Sequence, residues 1–179
     1  DELDHYTIAV KNQKPGRGGS RFIHESLKVG DVCVAAPPRS SFRIDGKAAG
    51  HLFIAGGIGI TPFIGMIRQA EVTGSPWALA YAFRDPEPPF LEQIKQLAGK
   101  VVDRVGLHAV GRSGANAMNV RMLVSELPAD WSVYCCGPES LLNEFEAATK
   151  MLDPNRVRLE RFSNTTEVRP DEGFVVELA

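Results

Sequence analysis

From residue 51 onwards, the hydrophobic positions of the chain alternate between two patterns. Short uninterrupted apolar runs predict buried strands, and runs with apolar positions three and four apart predict helices. The predicted strands are 51–55, 77–83, 102–110, 132–136 and 156–162. The predicted helices are 61–72, 88–98, 120–127 and 139–152. Five short strands that alternate with helices predict an α/β fold with a doubly wound parallel sheet.

The first fifty residues have a different pattern. Residues 5–10 are rich in β-formers and predict a strand, and a turn-rich loop follows. Ser20 is expected to cap a short helix over 21–27, whose apolar side would carry Phe22, Ile23 and Leu27. Residues 29–37 predict a second strand, and residues 41–50 a short strand and a linker. This part therefore reads as a piece of a β-domain.

These patterns predict domains at 1–45, 46–162 and 163–179. Residues 163–172 are polar and have the composition of a linker, and an apolar run follows them. The chain lacks an initiator Met, enters a strand pattern almost at once and stops inside another. We therefore expect it to be a fragment of a longer protein.

Composition narrows the function classes. The chain has 179 residues and a formal net charge of -2, without the basic run that nucleic acid or an anionic membrane would require. Its apolar runs are shorter than the ~20 residues of a bilayer span. The three cysteines, two of them adjacent, make a poor disulfide framework and favour a reducing cytoplasm. They also lack the spacing of a zinc or iron–sulfur site.

The first chemistry-bearing stretch, GGIGITP, follows the predicted strand 51–55. Gly56, Gly57 and Gly59 precede Thr61 and Pro62, at the start of a predicted helix. Free amides and the helix dipole favour an anion there, and glycines allow a pyrophosphate to approach closely. No Lys-Ser/Thr follows the glycines, which excludes a P-loop. The alternative is a tight strand–helix turn that binds nothing.

A second stretch, CCGP, ends the predicted strand 132–136. Ligands of such sheets bind outside the carboxyl ends of the strands, which places Cys136, Gly137 and Pro138 at the same edge as Gly57. The alternative is a buried cysteine that only packs.

The segment GRGGS precedes the predicted helix 21–27. Gly18, Gly19 and Ser20 would form a second anion-binding turn, and the alternative is a flexible loop.

Two further pairs follow predicted strands of the sheet. Glu160 and Phe162 lie at the end of the last strand, and the alternative is a charged edge with a packing aromatic. Arg84 and Asp85 follow the strand 77–83 and could meet an adenosine ribose, the alternative being an exposed surface pair.

In this order, GRGGS, GGIGITP, YCCGP and ERF resemble the ferredoxin–NADP reductase superfamily. The closer resemblance is to its phthalate dioxygenase reductase and vanillate O-demethylase oxidoreductase branch, and it covers nearly the whole chain. It implies a flavin-binding β-barrel, an NAD domain and a C-terminal [2Fe–2S] ferredoxin domain. It also implies hydride transfer from NADH to flavin. Single electrons would then pass to [2Fe–2S] and to the oxygenase component of a Rieske-type aromatic dioxygenase or demethylase.

The resemblance assigns site residues position by position. The residues implied for NAD are Gly56, Gly57, Gly59, Thr61, Pro62, Arg84, Asp85, Cys136, Gly137 and Pro138. The residues implied for flavin are Gly18, Gly19, Ser20 and Phe162. The residues implied at the hydride transfer are Cys136, Thr61 and Glu160. No metal site is expected in the chain.

Compared with the family, the chain lacks the first half of the barrel, with its Arg-x-Tyr-Ser motif, and the ferredoxin domain. Residues 1–45 would then be the C-terminal part of the barrel, and 163–179 a linker and the first ferredoxin strand. GRGGS implies FMN rather than FAD, and Asp85 favours NADH over NADPH. We expect a cytoplasmic monomer. The alternatives are an FAD-dependent reductase without a fused ferredoxin, and an NADH-binding module without activity.

Overall fold

A computed structural model of the chain describes residues 6–14, 16–35, 41–99, 102–111, 117–162 and 174–177. The chain divides into two compact units, residues 42–163 and residues 1–41 with 164–179. The strands are β1 Val32–Ala35, β2 Gly50–Gly56, β3 Trp77–Phe83, β4 Val105–Ala109, β5 Trp131–Cys136, β6 Val157–Glu160 and β7 Phe174–Glu177. The helices are α1 Gly19–Glu25, α2 Thr61–Thr73, α3 Leu91–Ala98, α4 Val120–Ser125 and α5 Glu139–Thr149. Short 3₁₀ turns cover Gly57–Ile60, Val102–Arg104 and Pro154–Arg156.

The larger unit is built on a parallel five-stranded sheet in the order β4-β3-β2-β5-β6. Strand β2 lies in the centre, and all its residues are buried because both faces of the sheet are covered. On one face Phe63 of α2 and Ile94 of α3 join the core, and on the other Val120 of α4 and Leu142 of α5 do so. The predicted doubly wound parallel sheet is therefore confirmed.

Helix α2 shows why the chain turns where it does after β2. It begins with Pro62 in its first turn, where the missing amide costs nothing, and it ends at Gly74, whose φ of 70° continues the chain in the left-handed region. Its buried residues are Phe63, Ile64, Met66, Ile67 and Ala70. Their helical spacing gives α2 one apolar face, which packs on the sheet.

In the smaller unit, β1 pairs antiparallel with β7, Val32 opposite Glu177. The strand predicted at 5–10 is wrong for residues 6–10, which form no strand, and residue 5 lies outside the described residues. The short strand expected within 41–50 is also absent there, since only Gly50 is in a strand. The strand predicted over 102–110 is shorter, because a 3₁₀ turn precedes β4.

Ser20 does not cap α1. Gly18 is the N-cap, with a φ of 91°, and the Ser20 hydroxyl accepts a hydrogen bond from the Gln13 amide at 3.1 Å. The hydroxyl is engaged by the preceding loop, so a glycine in the left-handed region starts the helix instead. The expected apolar side of α1 also stays open, since Phe22 is 56% exposed.

The domain boundaries at 45/46 and 162/163 stay predictions, and so does the origin of the first unit in a flavin barrel. Of the segment 163–179 the structure describes only Phe174–Glu177. Among the helices it describes, none combines the length and apolar character needed to cross a membrane.

Candidate functional site

The order of the strands creates a crevice between β2 and β5. From β2 the chain continues to β3 on one side, and from β5 to β6 on the other, so the two connections diverge above the sheet. Ligands of open α/β sheets bind at this switch point, outside the carboxyl ends of the strands. The chain supplies two loops here: the β2 loop, Gly56–Thr61, and the β5 loop, Cys136–Pro138.

Gly57 is the residue of the β2 loop that faces open space. Its φ is 54°, in the region that favours glycine, and a Cβ built on it would meet no atom within 4 Å. A ligand can therefore approach the backbone here.

Gly56 and Gly59 instead face the β5 loop. A Cβ on Gly59 would overlap the carbonyl oxygen of Cys136 and lie 2.7 Å from the Gly137 nitrogen. A Cβ on Gly56 would lie 2.6 Å from Cδ of Pro138 and 2.9 Å from Cδ2 of Leu141. The two loops therefore pack backbone against backbone.

The 3₁₀ turn Gly57–Ile60, which runs directly into α2, has the properties of an anion site. The Thr61 amide donates to the Ile58 carbonyl and Pro62 has no amide, so the free amides lie at the start of the turn. Among the described residues, no side chain caps the 3₁₀ turn or α2, and neither has an acidic residue in its first turn. The hydroxyl of Thr61 donates to the carbonyl of Ile58 at 3.1 Å and holds the turn. Uncapped amides, the helix dipole and the open side of Gly57 fit a pyrophosphate.

Cys136 ends β5 and is fully buried. Burial raises the pKa of its thiol to about 12, and the charge of Glu160, its register partner on β6, adds to the rise. Burial also raises the pKa of Glu160 above its usual value. Cys136 is thus a neutral thiol near pH 7, suited to shaping a site rather than to attacking a substrate.

The chain beyond β6 is tied to α5. Arg161 binds Glu146 at 2.8 Å and Glu139 at 3.5 Å. The next residue, Phe162, is 55% exposed at the carboxyl edge of the sheet. An exposed aromatic ring at this edge is available to a ligand.

Arg84 and Asp85 follow β3 and are exposed. Because β3 pairs with β2 up to Gly56, both lie at the same edge as the β2 loop. Nearby, the buried Tyr81 hydroxyl donates to the Pro89 carbonyl at 3.4 Å. Burial raises the pKa of Tyr81 to about 12, and the charge of Asp85 contributes.

The structure thus brings the β2 and β5 loops into contact and sets Glu160 beside Cys136. It places Arg84, Asp85 and Phe162 along the same edge. Gly18, Gly19 and Ser20 belong to the other unit. The apolar spacing of helix α5 predicts Leu141 as a core residue. The sequence does not show that its side chain packs under both Gly56 and Gly137.

The chain is similar to known reductases and dioxygenase subunits. The chain is 39% identical over 178 residues to the phenoxybenzoate dioxygenase subunit beta of Ectopseudomonas oleovorans, covering 99% of this chain and 54% of that protein. It is 36% identical to the tetrachlorobenzoquinone reductase of Sphingobium chlorophenolicum, covering 99% and 56%. The solved structure of phthalate dioxygenase reductase matches with a TM-score of 0.77 and 28% identity, over 94% of this chain and 56% of that one. Over about half of their length, the phthalate dioxygenase reductases are therefore similar to this chain in sequence and in fold.

Phthalate dioxygenase reductase is described as a modular structure for electron transfer from pyridine nucleotides to [2Fe–2S]. The chain spans about half the length of the curated relatives it matches. No protein-family model matches the chain.

Proposed function

We propose that the chain is the pyridine-nucleotide-binding part of a flavin-dependent electron-transfer reductase that serves a Rieske-type aromatic oxygenase or demethylase. In the whole protein, hydride would pass from NADH to flavin, and single electrons to a [2Fe–2S] centre and the oxygenase component. The observation that carries this proposal is the direct packing of the β2 and β5 loops at the switch point of the sheet.

Each loop has its own role in the proposal. The β2 loop would hold the pyrophosphate, through its uncapped amides and the open side of Gly57. The β5 loop would border the nicotinamide, with the neutral thiol of Cys136 and the half-buried carboxyl of Glu160 beside it. NADH and flavin supply the hydride chemistry when bound, and the protein contributes position and electrostatics.

The flavin would be FMN, with its phosphate near Gly18, Gly19 and Ser20. Gly18 begins α1 with a φ of 91° and no described side chain caps this helix, and the Ser20 hydroxyl accepts a hydrogen bond from the Gln13 amide of the preceding loop. Phe162, exposed beyond β6, would pack near the rings of flavin and nicotinamide.

A titration tests the binding part of the proposal. Calorimetry of the 179-residue chain with NADH is expected to show saturable binding. Gly57→Ala should raise its Kd by about tenfold or more, because the methyl group enters the space left for the ligand. Gly65→Ala is the matched control, since a Cβ there also meets nothing within 4 Å, but on the exposed middle of α2. Wild-type protein that binds no NADH would refute the proposal.

A second assay separates the reductase from a simple binding module. With FMN added, the chain that binds NADH is expected to reduce ferricyanide, and omission of either NADH or FMN should abolish the reaction. Binding of NADH without any ferricyanide reduction would favour the binding module.

We also propose NADH rather than NADPH as the physiological donor. The exposed carboxylate of Asp85 follows β3, the strand next to β2, where an acidic residue can accept hydrogen bonds from a ribose 2′-hydroxyl and repel a 2′-phosphate. Asp85→Asn is therefore expected to lower the Kd ratio of NADPH to NADH by about tenfold. Asp130→Asn makes the same charge change just before β5, at the opposite edge of the sheet, and should leave the ratio unchanged. Equal ratios in wild type and Asp85→Asn would exclude this role.

A further inference from the structure

The three glycines of the β2 loop differ in what surrounds them. Gly57 faces open space, whereas Gly56 and Gly59 face the β5 loop. From the sequence motif, all three glycines are expected to bind phosphate. Their surroundings indicate two separate tasks.

The contact at Gly59 is the tightest, and its partner is backbone. A Cβ there would overlap the Cys136 carbonyl, lie 2.5 Å from its carbonyl carbon and 2.7 Å from the Gly137 nitrogen. No side-chain torsion can relieve that overlap, since all three atoms belong to the peptide that joins Cys136 to Gly137. A methyl group at Gly59 must displace this peptide or the β2 loop itself.

The opposite side of the contact is equally close. A Cβ on Gly137 would lie 3.0 Å from both the Cα and the nitrogen of Gly56, and 2.9 Å from Cδ2 of Leu141. The last register pair between the strands is Ala55 with Cys136. Beyond that pair, side chains would normally separate the β2 loop from the β5 loop. Here both loops carry glycines, so their backbones stay in contact.

We infer that Gly59 positions the Cys136–Gly137 peptide, so that the loop proposed to hold phosphate also fixes the loop proposed to border the nicotinamide. Gly59 is then a positioning residue that acts through the β5 loop. The link to the nicotinamide rests on the proposed function. The mechanical link between the loops does not.

Thiol labelling tests the mechanical link without any nucleotide. In wild type, Cys135 and Cys136 are fully buried and point to opposite faces of the sheet. Gly59→Ala should speed the labelling of Cys136 by N-ethylmaleimide, which forms a stable thioether, about tenfold relative to Cys135, as mapped by peptide mass spectrometry. Cys135 is the internal reference for general destabilisation, and Gly65→Ala is the matched control. Equal acceleration of both thiols, or none, would overturn the inference.

A pair of ligands tests the link to the nicotinamide. ADP-ribose carries the pyrophosphate and lacks the nicotinamide. Gly57→Ala should raise the Kd of NADH and the Kd of ADP-ribose by similar factors. Gly59→Ala should raise the Kd of NADH at least about fivefold more than that of ADP-ribose. Equal increases in the Kd of NADH and of ADP-ribose in Gly59→Ala would overturn the inference.

Two further outcomes of these experiments bear on the inference. If wild type binds neither ligand, the proposed function fails, and the labelling experiment alone decides whether Gly59 positions the peptide. If Gly59→Ala does not fold, Gly56→Ala replaces it, because its methyl group meets the Pro138 ring and the tip of Leu141 rather than a carbonyl. Gly56→Ala is expected to speed the labelling of Cys136 over Cys135 and to weaken NADH binding more than ADP-ribose binding, each by a smaller factor than Gly59→Ala. The absence of both effects would refute the inference.

Discussion

At the scale of single residues, His51 combines burial with an unsatisfied polar atom. It is 1% exposed, and its ring lies 6.1 Å from that of Phe53 and 5.9 Å from that of Tyr134. No described residue forms a hydrogen bond with its Nδ1. Burial lowers its pKa below 6.5, and the charge of Asp45 only partly opposes this. The folded protein therefore holds His51 as a neutral ring.

This environment predicts a pH dependence of stability. Because the pKa of His51 is lower in the folded state, the unfolded chain binds more protons between the folded value and 6.5. The stability contributed by neutral His51 should thus be fully present above about pH 6.5. The free energy of unfolding should fall as the pH drops from there to the folded-state pKa of His51. Urea unfolding at about pH 5.5 and pH 7.5 measures it.

The contribution of His51 can be isolated by substitution. His51→Gln should reduce the difference between the two pH values, whereas His24→Gln, which alters an exposed ring on α1, should leave it unchanged. An undiminished difference in His51→Gln would assign the effect to another group, of which His108 is the first to examine because burial also lowers its pKa.

The site residues show how far sequence reasoning reaches at this scale. The order of strands and loops places Gly57 and Cys136 at one edge of the sheet, and the structure places them there. The direct contact of Gly59 with the Cys136 carbonyl could not be predicted, because a contact between distant residues depends on the final spacing of two loops. A Gly-Gly-x-Gly motif reads the same whether its glycines face a ligand or a neighbouring backbone.

At the scale of elements, α2 carries two glycines with opposite consequences. Gly65 lies in the exposed middle of the helix, where a Cβ would meet nothing within 4 Å, and glycine there costs stability relative to alanine. Gly74 ends the helix with a φ of 70°, and its amide donates to the carbonyls of Ala70 and Glu71. Only a residue that tolerates the left-handed region can end α2 in this way.

The same substitution should therefore act in opposite directions at these two positions. Gly65→Ala is expected to raise the free energy of unfolding by about 0.5–1 kcal/mol. Gly74→Ala is expected to lower it by about 1–2 kcal/mol, because alanine is strained at a positive φ. Chemical denaturation of the two variants beside wild type measures both. Stabilisation by Gly74→Ala would contradict the assigned cap.

The elements also show where hydrophobic patterns are reliable. The pattern predicts residues 77–83 as a strand, and β3 has those bounds, because its apolar run is set by burial on both faces. It predicts α2 to within one residue at its end, since Pro62 and Gly74 mark both termini. It fails at 6–10, where no residue is buried, and at Ser20, whose hydroxyl accepts a hydrogen bond from the Gln13 amide.

At the scale of the whole molecule, the two units differ in how much they bury. Every residue of β2 is buried, and it is paired on both sides. Helix α1 has no buried residue, and β1 exposes Val32 by 63% and Val34 by 76%. Within the described residues, β1 pairs with β7 alone, and a two-stranded sheet is marginally stable in water. Local stability should therefore differ strongly between the units.

Hydrogen exchange gives this contrast a measurable form. Amides of β2, β3 and β5 should exchange only through global or nearly global unfolding. Amides of α1 and β1 should exchange at least about a hundredfold faster, because opening them exposes little apolar surface. Mass spectrometry of peptic fragments resolves these segments. Comparable protection in β1 and β2 would show that the smaller unit is stabilised beyond its own described contacts.

The central position of β2 has a consequence for biosynthesis. From Ala48 to Ile67 the chain carries no Asp, Glu, Lys or Arg, and this stretch includes all of β2. Its partner β5 leaves the ribosome long after β2, because two strands, β3 and β4, and three helices, α2, α3 and α4, lie between them in the sequence. Until then the most apolar segment of the chain depends on β3 alone and is open to aggregation. The yield of folded protein should therefore depend on translation speed and on chaperone supply.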